Sequence, residues 1–272
     1  MSHAIIIPIY CENRNTIILC NELQNFGAEH IVVVNDGLNP KSEYFNELTS
    51  IGCHLVHLKN NNGKGASLKA GIKYAHDNLY NITGYITCDA DGQHTANDVM
   101  KISRMLDLRN GSLILGKRDY KKSKMPINIR IGNRLSSAYF KVITGKSCRD
   151  TQTGLRGIPA FLYDTVMKTK GSRFDFEMNF LTKCADMRVP FYFVNIIADC
   201  SNCSSNFRLI KDTYLIYRTP LRFATASIGC TIIDLVLFTI FAYILPSHMF
   251  FNIMLATVSY THLRAHETPE HL

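Results

Sequence analysis

The sequence lacks the glycine fingerprint of a dinucleotide site: nowhere does G-x-G-x-x-G follow an apolar run and open a helix. It also lacks a Walker A loop. The nearest approach, Asn62-Gly63-Lys64-Gly65, has glycine after the lysine where that loop needs Ser or Thr. These absences argue against a nicotinamide oxidoreductase and a P-loop NTPase. Paired cysteines are scarce. Of nine cysteines only Cys200 and Cys203 have C-x-x-C spacing, and no second pair or His pair accompanies them. That disfavours a zinc site, and the cysteines read as reduced thiols. The N-terminus, MSHAIIIPIY, has no charged n-region, and its apolar run is too short for a signal peptide, so the start of the chain is expected in the cytoplasm. Long basic runs are missing too, although the net charge is +8 and the pI about 9.0. Such a balance suits nucleic acid, an anionic membrane surface or phosphorylated substrates. Carboxylates clustered at strand ends would repel a nucleic acid unless a metal intervened, so no nucleic-acid partner is expected.

What is present is a core. Among 272 residues 46% are hydrophobic, 10% aromatic and 19% charged, which suits one large α/β domain with a small appendage. Apolar runs at Ala4–Ile9, Ile31–Val34, His54–Leu58, Tyr85–Cys88, Ser112–Leu115 and Phe191–Ile197 read as strands. Helical spacing covers Asn15–Phe26, Gly65–Asn78, Thr95–Leu106 (with Thr95 as N-cap) and Ile131–Ile143, and a further helix follows CRDTQTGLRGIP. Strand–helix alternation predicts a Rossmann-like, mostly parallel sheet with helices on both faces. Ligands then sit beyond the carboxyl ends of the strands, where Tyr10–Glu12, Asp36–Gly37 and Asp89–His94 fall.

Residues 1–205 read as the catalytic domain and 206–222 as a basic juxtamembrane segment carrying Arg208, Lys211, Arg218 and Arg222. Residues 223–258 read as a truncated membrane region. Its run Phe223–Leu245 is broken only by Asp234, and at about 1.5 Å per residue it can cross a core of roughly 30 Å. The preceding basic residues put that side, with the catalytic domain, in the cytoplasm. Asp234 would face other helices. The polar, His-rich end, residues 259–272, reads as a non-native tail joined to a truncated gene.

The strongest chemical signal is Asp89-Ala90-Asp91 at the end of an apolar strand. In extended chain, residues i and i+2 point the same way, so both carboxylates can face one site. Mg²⁺ favours one or two carboxylates plus substrate phosphates, and Gln93 offers a third oxygen. The alternative is a plain Asp-Ala-Asp-Gly turn. Lys64, at the glycine-rich entry to a helix, would lie near a phosphate or be structural. Asp36 could accept hydrogen bonds from a base or ribose, and Tyr10 could stack on a base. Arg118, Arg130, Arg156 and Arg208 supply forks that match phosphate oxygens.

In order, IPIYCENRN, VVVNDG, NNGKGASLKAG, DADGQH, LGKRDY, DTQTGLRGIP, GSRFDFEMNF and NFRLIKDT resemble the dolichyl-phosphate mannose synthase branch of glycosyltransferase family 2, which includes bacterial polyprenyl-phosphate glycosyltransferases. The resemblance covers roughly residues 4–222. It implies a GT-A fold followed by a C-terminal transmembrane helix, the start of a fused multi-helix module. It implies that Pro8, Tyr10, Glu12, Asp36, Lys64, Asp89, Ala90 and Asp91 hold a UDP- or GDP-linked sugar, and that Asp91 and Gln93 bind Mg²⁺ or Mn²⁺. Arg118 would contact phosphate and serve catalysis with Asp89 and Asp91; Arg130, Arg156 and Arg208 would hold the acceptor phosphate. Glu177 matches a family position without a role derivable from sequence. Leu38 departs from the usual Ser, and Asn206 from a common His. The implied reaction is inverting transfer of a sugar to a polyprenyl phosphate at the cytoplasmic membrane face. A sugar-hydroxyl acceptor in polysaccharide synthesis would need a base, for which Asp150 is the nearest candidate. A non-catalytic membrane scaffold is the other alternative.

Overall fold

The computed structural model describes residues 2–118, 127–173 and 175–197, with residues 229, 231–233, 235, 236, 238–240 and 243. Strand β1 (His3–Ile9) shows how the sheet is buried. Ile5, Ile7 and Ile9 point into one core cluster, and Ala4 and Ile6 into the other. A continuous apolar run is what a strand covered on both faces requires. Its neighbour β2 (His30–Asp36) repeats the alternation, Ile31 and Val33 on one face and Val32 and Val34 on the other, with Ile5 opposite Ile31 and Ile7 opposite Val33.

The other strands are β3 (His54–Leu58), β4 (Gly84–Thr87), β5 (Leu113–Arg118), β6 (Arg156–Pro159) and β7 (Phe191–Ile196), in the spatial order β3-β2-β1-β4-β6-β5-β7. All neighbours are parallel except β6, which runs antiparallel between β4 and β5. Helices α1 (Arg14–Asn25), α2 (Glu43–Ser50) and α4 (Ala96–Leu108) bury residues in the first cluster. The second takes residues from α3 (Lys64–Asn78), α5 (Ile127–Thr144), α6 (Tyr163–Lys168) and α7 (Asp175–Asp186). Because β2 and β4 flank β1, the strand order reverses there, and the crevice beyond the strand ends opens at that point.

The expected mostly parallel sheet, with helices on both faces, is therefore what the chain forms. Thr95 caps α4, its side chain accepting from the Asp98 N–H at 3.2 Å. The single helix expected after CRDTQTGLRGIP is two, α6 and α7, and two further elements were not anticipated. Helix α2 has eight residues, too few to display a period, and starts from the polar Ser42 cap. Strand β6 is four residues, Arg-Gly-Ile-Pro, inside a stretch that reads as a loop. β2 also runs on through Asn35 and Asp36; the turn forms after it, where the Leu38 N–H donates to Asn35 Oδ1.

The chain divides into two compact units, Met1–Phe207 and Arg208–Leu272. Among the described residues no helix is long and apolar enough to cross a membrane. The expected span Phe223–Leu245 falls largely outside the described residues. Asp234, the juxtamembrane cations and the tail lie wholly outside them.

Helix α3 approaches the sheet through Gly71, where an added Cβ would stand 2.5 Å from Ile6 Cγ2 and 2.7 Å from Val34 Cγ2. Both neighbours are β-branched and fixed in strands, so neither can yield. Gly71→Ala is expected to destabilise by about 1–2 kcal/mol, overpacking outweighing the gain in helix propensity. A lowered denaturant midpoint by far-UV circular dichroism would show it; a raised one would mean the helix can move away.

Candidate active site

Strand β4 ends at Thr87, and the chain continues as Cys88-Asp89-Ala90-Asp91 at the carboxyl end of the sheet. Two elements grip this turn, the loop carrying Gly154 and helix α1. The Thr87 hydroxyl donates to the Gly154 carbonyl at 2.7 Å. From the first turn of α1, the Thr16 hydroxyl donates to the Ala90 carbonyl at 3.1 Å, and Asn15 Nδ2 donates to the Asp91 carbonyl at 3.5 Å. Gly154 is pressed against Asp89: a Cβ there would collide with the Asp89 carboxylate. Only glycine lets this loop come so close.

The two carboxylates have different surroundings. Lys64, the first residue of α3, extends its ammonium to 2.5 Å from Asp89 Oδ1 and 3.2 Å from Glu177 Oε1 of α7. His94 places Nε2 3.6 Å from Asp89 Oδ2. Burial alone would push the Asp89 carboxyl up, but Lys64 and His94 hold it well below the usual carboxylate range. Burial likewise opposes the Lys64 charge, and Asp89 and Glu177 outweigh it, so its pKa lies above the ordinary lysine value. Asp91 is the reverse. Burial, then the charge of Asp89, raise its pKa against the opposing Gln93 N–H, which donates to Asp91 Oδ1 at 3.1 Å. The Gln93 side-chain amide also lies on Asp91 Oδ2.

The sequence-derived metal ligands Asp91 and Gln93 are thus adjacent. Among the described residues no three His, Cys, Asp or Glu side chains converge on one point. A cation here would complete its shell from phosphate and water, as Mg²⁺ commonly does. The donors fit that chemistry: both are oxygen-bearing, and Asp91, unlike Asp89, has no lysine or arginine against it among the described residues and is destabilised by the anion beside it.

Asp36 is buried, and its carboxylate accepts from the N–H groups of Asn62 at 2.8 Å and Gly63 at 2.9 Å. It fastens the loop before α3 to the end of β2 and so delivers Lys64. Gly63, at φ +94, makes the turn into the helix. Pro8 is buried within β1, whereas Tyr10 and Glu12 are exposed just past its end, and Ala90 is partly exposed between the two aspartates.

Two of the arginines chosen as phosphate ligands are inside the protein. Arg118 forms a two-pronged pair with Asp150, 2.7 Å from Nε to Oδ2 and 2.8 Å from Nη2 to Oδ1. Arg156, 2% exposed, donates to the carbonyls of Thr153, Glu177 and Thr151. Both brace the loop that carries Gly154. Both are buried, and each donates to groups of the protein itself. Arg130 is exposed on α5, and Arg208 lies outside the described residues.

The sequence reading passed over His94 and Thr16. His94 stands inside the quoted DADGQH but received no role; it is 4% exposed, and neither ring nitrogen has a hydrogen bond among the described residues. Thr16 carries no signal, because its partner is a backbone carbonyl 74 residues away. Glu177 now has a role: it is the second anion on Lys64.

Comparisons with known proteins agree with this architecture. The chain is similar to an uncharacterized protein of Methanocaldococcus jannaschii, 32% identical over 188 residues, covering 65% of this chain and 73% of that protein. It is 28% identical over 172 residues to the UDP-N-acetylglucosamine–dolichyl-phosphate N-acetylglucosaminyltransferase of Methanococcus voltae, covering 56% and 67%. Its fold matches the glucosyl-3-phosphoglycerate synthase of Mycobacterium tuberculosis, solved with uridine diphosphate, at a TM-score of 0.63 and 12% identity, covering 81% of this chain and 79% of that one. Residues 4–164 match the family model described as glycosyl transferase family 2, and the chain belongs to that family.

Proposed function

We propose that the protein transfers a sugar from a UDP- or GDP-linked donor to a polyprenyl phosphate, with inversion, at the cytoplasmic face of a membrane. The observation that carries the donor half is the division of labour at the end of β4. Asp89 is clamped by Lys64 and His94, while Asp91, beside Gln93, is the carboxylate left to gain from a cation. A Mg²⁺ or Mn²⁺ ion held by Asp91 and Gln93 would supply positive charge against a departing nucleoside diphosphate. The chain's own contribution is position: Asp36 sets the Asn62–Gly63 loop, Lys64 sets Asp89, and Tyr10 and Glu12 stand just past the end of β1, where a nucleotide would enter.

The acceptor half rests on two supports. The Methanococcus voltae relative is named for a dolichyl-phosphate acceptor. In addition, Asp150, the candidate base for a hydroxyl acceptor, is fully buried and paired to Arg118. A phosphate monoester needs no base, since its second pKa is about 6. Proximity and charge then account for much of the rate, with the exposed Arg130 as a candidate contact for the acceptor phosphate.

Three outcomes test this reading. With labelled nucleotide-sugars, polyprenyl phosphate and Mg²⁺ or Mn²⁺, a lipid-soluble product should form. A product only with oligosaccharide acceptors would favour the polysaccharide reading, and no metal-dependent turnover of any donor would favour a scaffold.

Asp91→Asn should lower transfer by ~100-fold or more, the scale of losing one preorganised charge contact. Because the folded-state pKa of Asp91 is raised, folding is penalised at neutral pH, where the group is ionised, and the penalty fades as acid protonates it. Without cation or nucleotide, Asp91→Asn should therefore be at least as stable as wild type at pH 7 and lose that advantage in acid. Thermal melts across pH will show this, and a variant less stable at neutral pH would contradict the assignment.

Lys64→Met should destabilise by up to ~3 kcal/mol, because it strands two partly buried carboxylates. Glu177→Gln should recover part of that loss, with a coupling of about 0.5–3 kcal/mol in a double-mutant cycle. Additive losses would mean that the two side chains do not act together.

A further inference from the structure

Helix α5 has a buried inner face and an exposed apolar outer one. Its inner face buries Asn133, Ser136 and Phe140, whose ring lies 6.1 Å from that of Phe191 on β7. The outer face carries Ile131 (52% exposed), Leu135 (57%) and Val142 (85%), with the exposed Ala138 between them. At 3.6 residues per turn these four fall within an arc of about 60°. Three exposed cations, Arg130, Arg134 and Lys141, line one flank of that stripe, within an arc of about 40°. The sequence around it has a single sign: residues 120–149 contain eight Lys or Arg and no Asp or Glu.

A scattered exposed Leu or Ile needs no explanation, but a stripe along one helix flanked by cations does. Lysine is depleted from protein–protein interfaces, whereas a helix lying in a lipid headgroup layer combines an apolar face with Lys and Arg beside it. We propose that the outer face of α5 lies on an anionic lipid surface, with Ile131, Leu135 and Val142 among the upper acyl chains and Arg130, Arg134 and Lys141 on lipid phosphates. The placement rests on the functional reading only in putting the enzyme at a membrane. What it adds is the face of the catalytic domain that meets the lipid.

The chain has no tryptophan, so one introduced indole reports a single position without background. Leu135→Trp and Val142→Trp are made in the full chain, with Tyr80→Trp as control; Tyr80 is 88% exposed and lies just before β4, at the opposite end of the sheet from the site. Each is mixed with vesicles of phosphatidylglycerol or phosphatidylcholine bearing brominated acyl chains. The α5 indoles should shift to the blue and be quenched, more strongly by phosphatidylglycerol, while Tyr80→Trp is unaffected. Adding Arg134→Gln and Lys141→Gln should weaken the preference for phosphatidylglycerol.

Indoles already shifted without lipid and insensitive to bromine would mean that another part of the chain or a second copy covers α5, and would overturn the proposal. Unshifted, unquenched indoles would overturn it as well. Measuring product in the same vesicles separates the two readings. Product without quenching removes this placement and keeps the acceptor; quenching without product keeps the placement and removes the acceptor.

Discussion

Burying the Lys64 ammonium at the carboxyl end of a parallel sheet imposes a condition that the surrounding structure meets from two sides. A cation withdrawn from water must be surrounded by anions or hydrogen-bond acceptors, since an uncompensated buried charge costs several kcal/mol. Asp89 meets it from the end of β4 and Glu177 from α7. One side chain therefore joins three elements that are far apart in sequence. The loop that carries it is itself fixed, because Asp36 at the end of β2 accepts the backbone N–H groups of Asn62 and Gly63. Moving any of β2, α3, β4 or α7 would disturb the orientation of Asp89.

The same condition explains why two aspartates two positions apart differ. Asp89 has a cation and stays ionised. Asp91 is partly buried next to an anion, with Gln93 and His94 to offset it. Intrinsic chemistry cannot distinguish them; surroundings do. The arginines follow this pattern. Arg118 and Arg156, which sequence alone presents as phosphate ligands, satisfy the protein's own acceptors and hold the 150–154 loop. That loop brings Gly154 against Asp89, so the buried arginines act on the site through packing.

How much of this could be read from the sequence depended on the range of each interaction. The alternating apolar runs revealed β1–β5 and β7, because burial on both faces of a parallel sheet needs continuous Ile and Val, and the Thr95 cap was legible because a cap bonds within its own turn. The site's carboxylates stood out because they directly follow such a run. Strand β6 was hidden: four residues beginning with Arg carry no period, and what makes them a strand is pairing with β4 and β5. The fate of Arg156 was hidden for the same reason. An arginine in a Gly- and Thr-rich stretch looks exposed until the carbonyls of Thr151, Thr153 and Glu177 are seen around it. Lys64 was half legible, since a lysine opening a helix after glycine suits a phosphate or a strut, and its pairing with Glu177, far along the chain on α7, carries no local signal.

Helix α5 connects these themes. Its inner face is tied to the loop that shapes the site: Asn133 Oδ1 accepts from the Thr151 N–H at 3.2 Å, Asn133 Nδ2 donates to the Arg149 carbonyl, and the Thr151 hydroxyl donates to Ser136 at 2.9 Å. Three residues after Thr151 comes Gly154, against Asp89. The path from the outer stripe of α5 to the carboxylate is thus one helix thick and hydrogen-bonded from the helix to the loop. An enzyme whose acceptor is confined to a bilayer must hold its donor site at a fixed height above the headgroups, since transfer requires reacting atoms near contact distance. A helix lying in the headgroup layer on one side and bonded to the site loop on the other would set that height without a hinge.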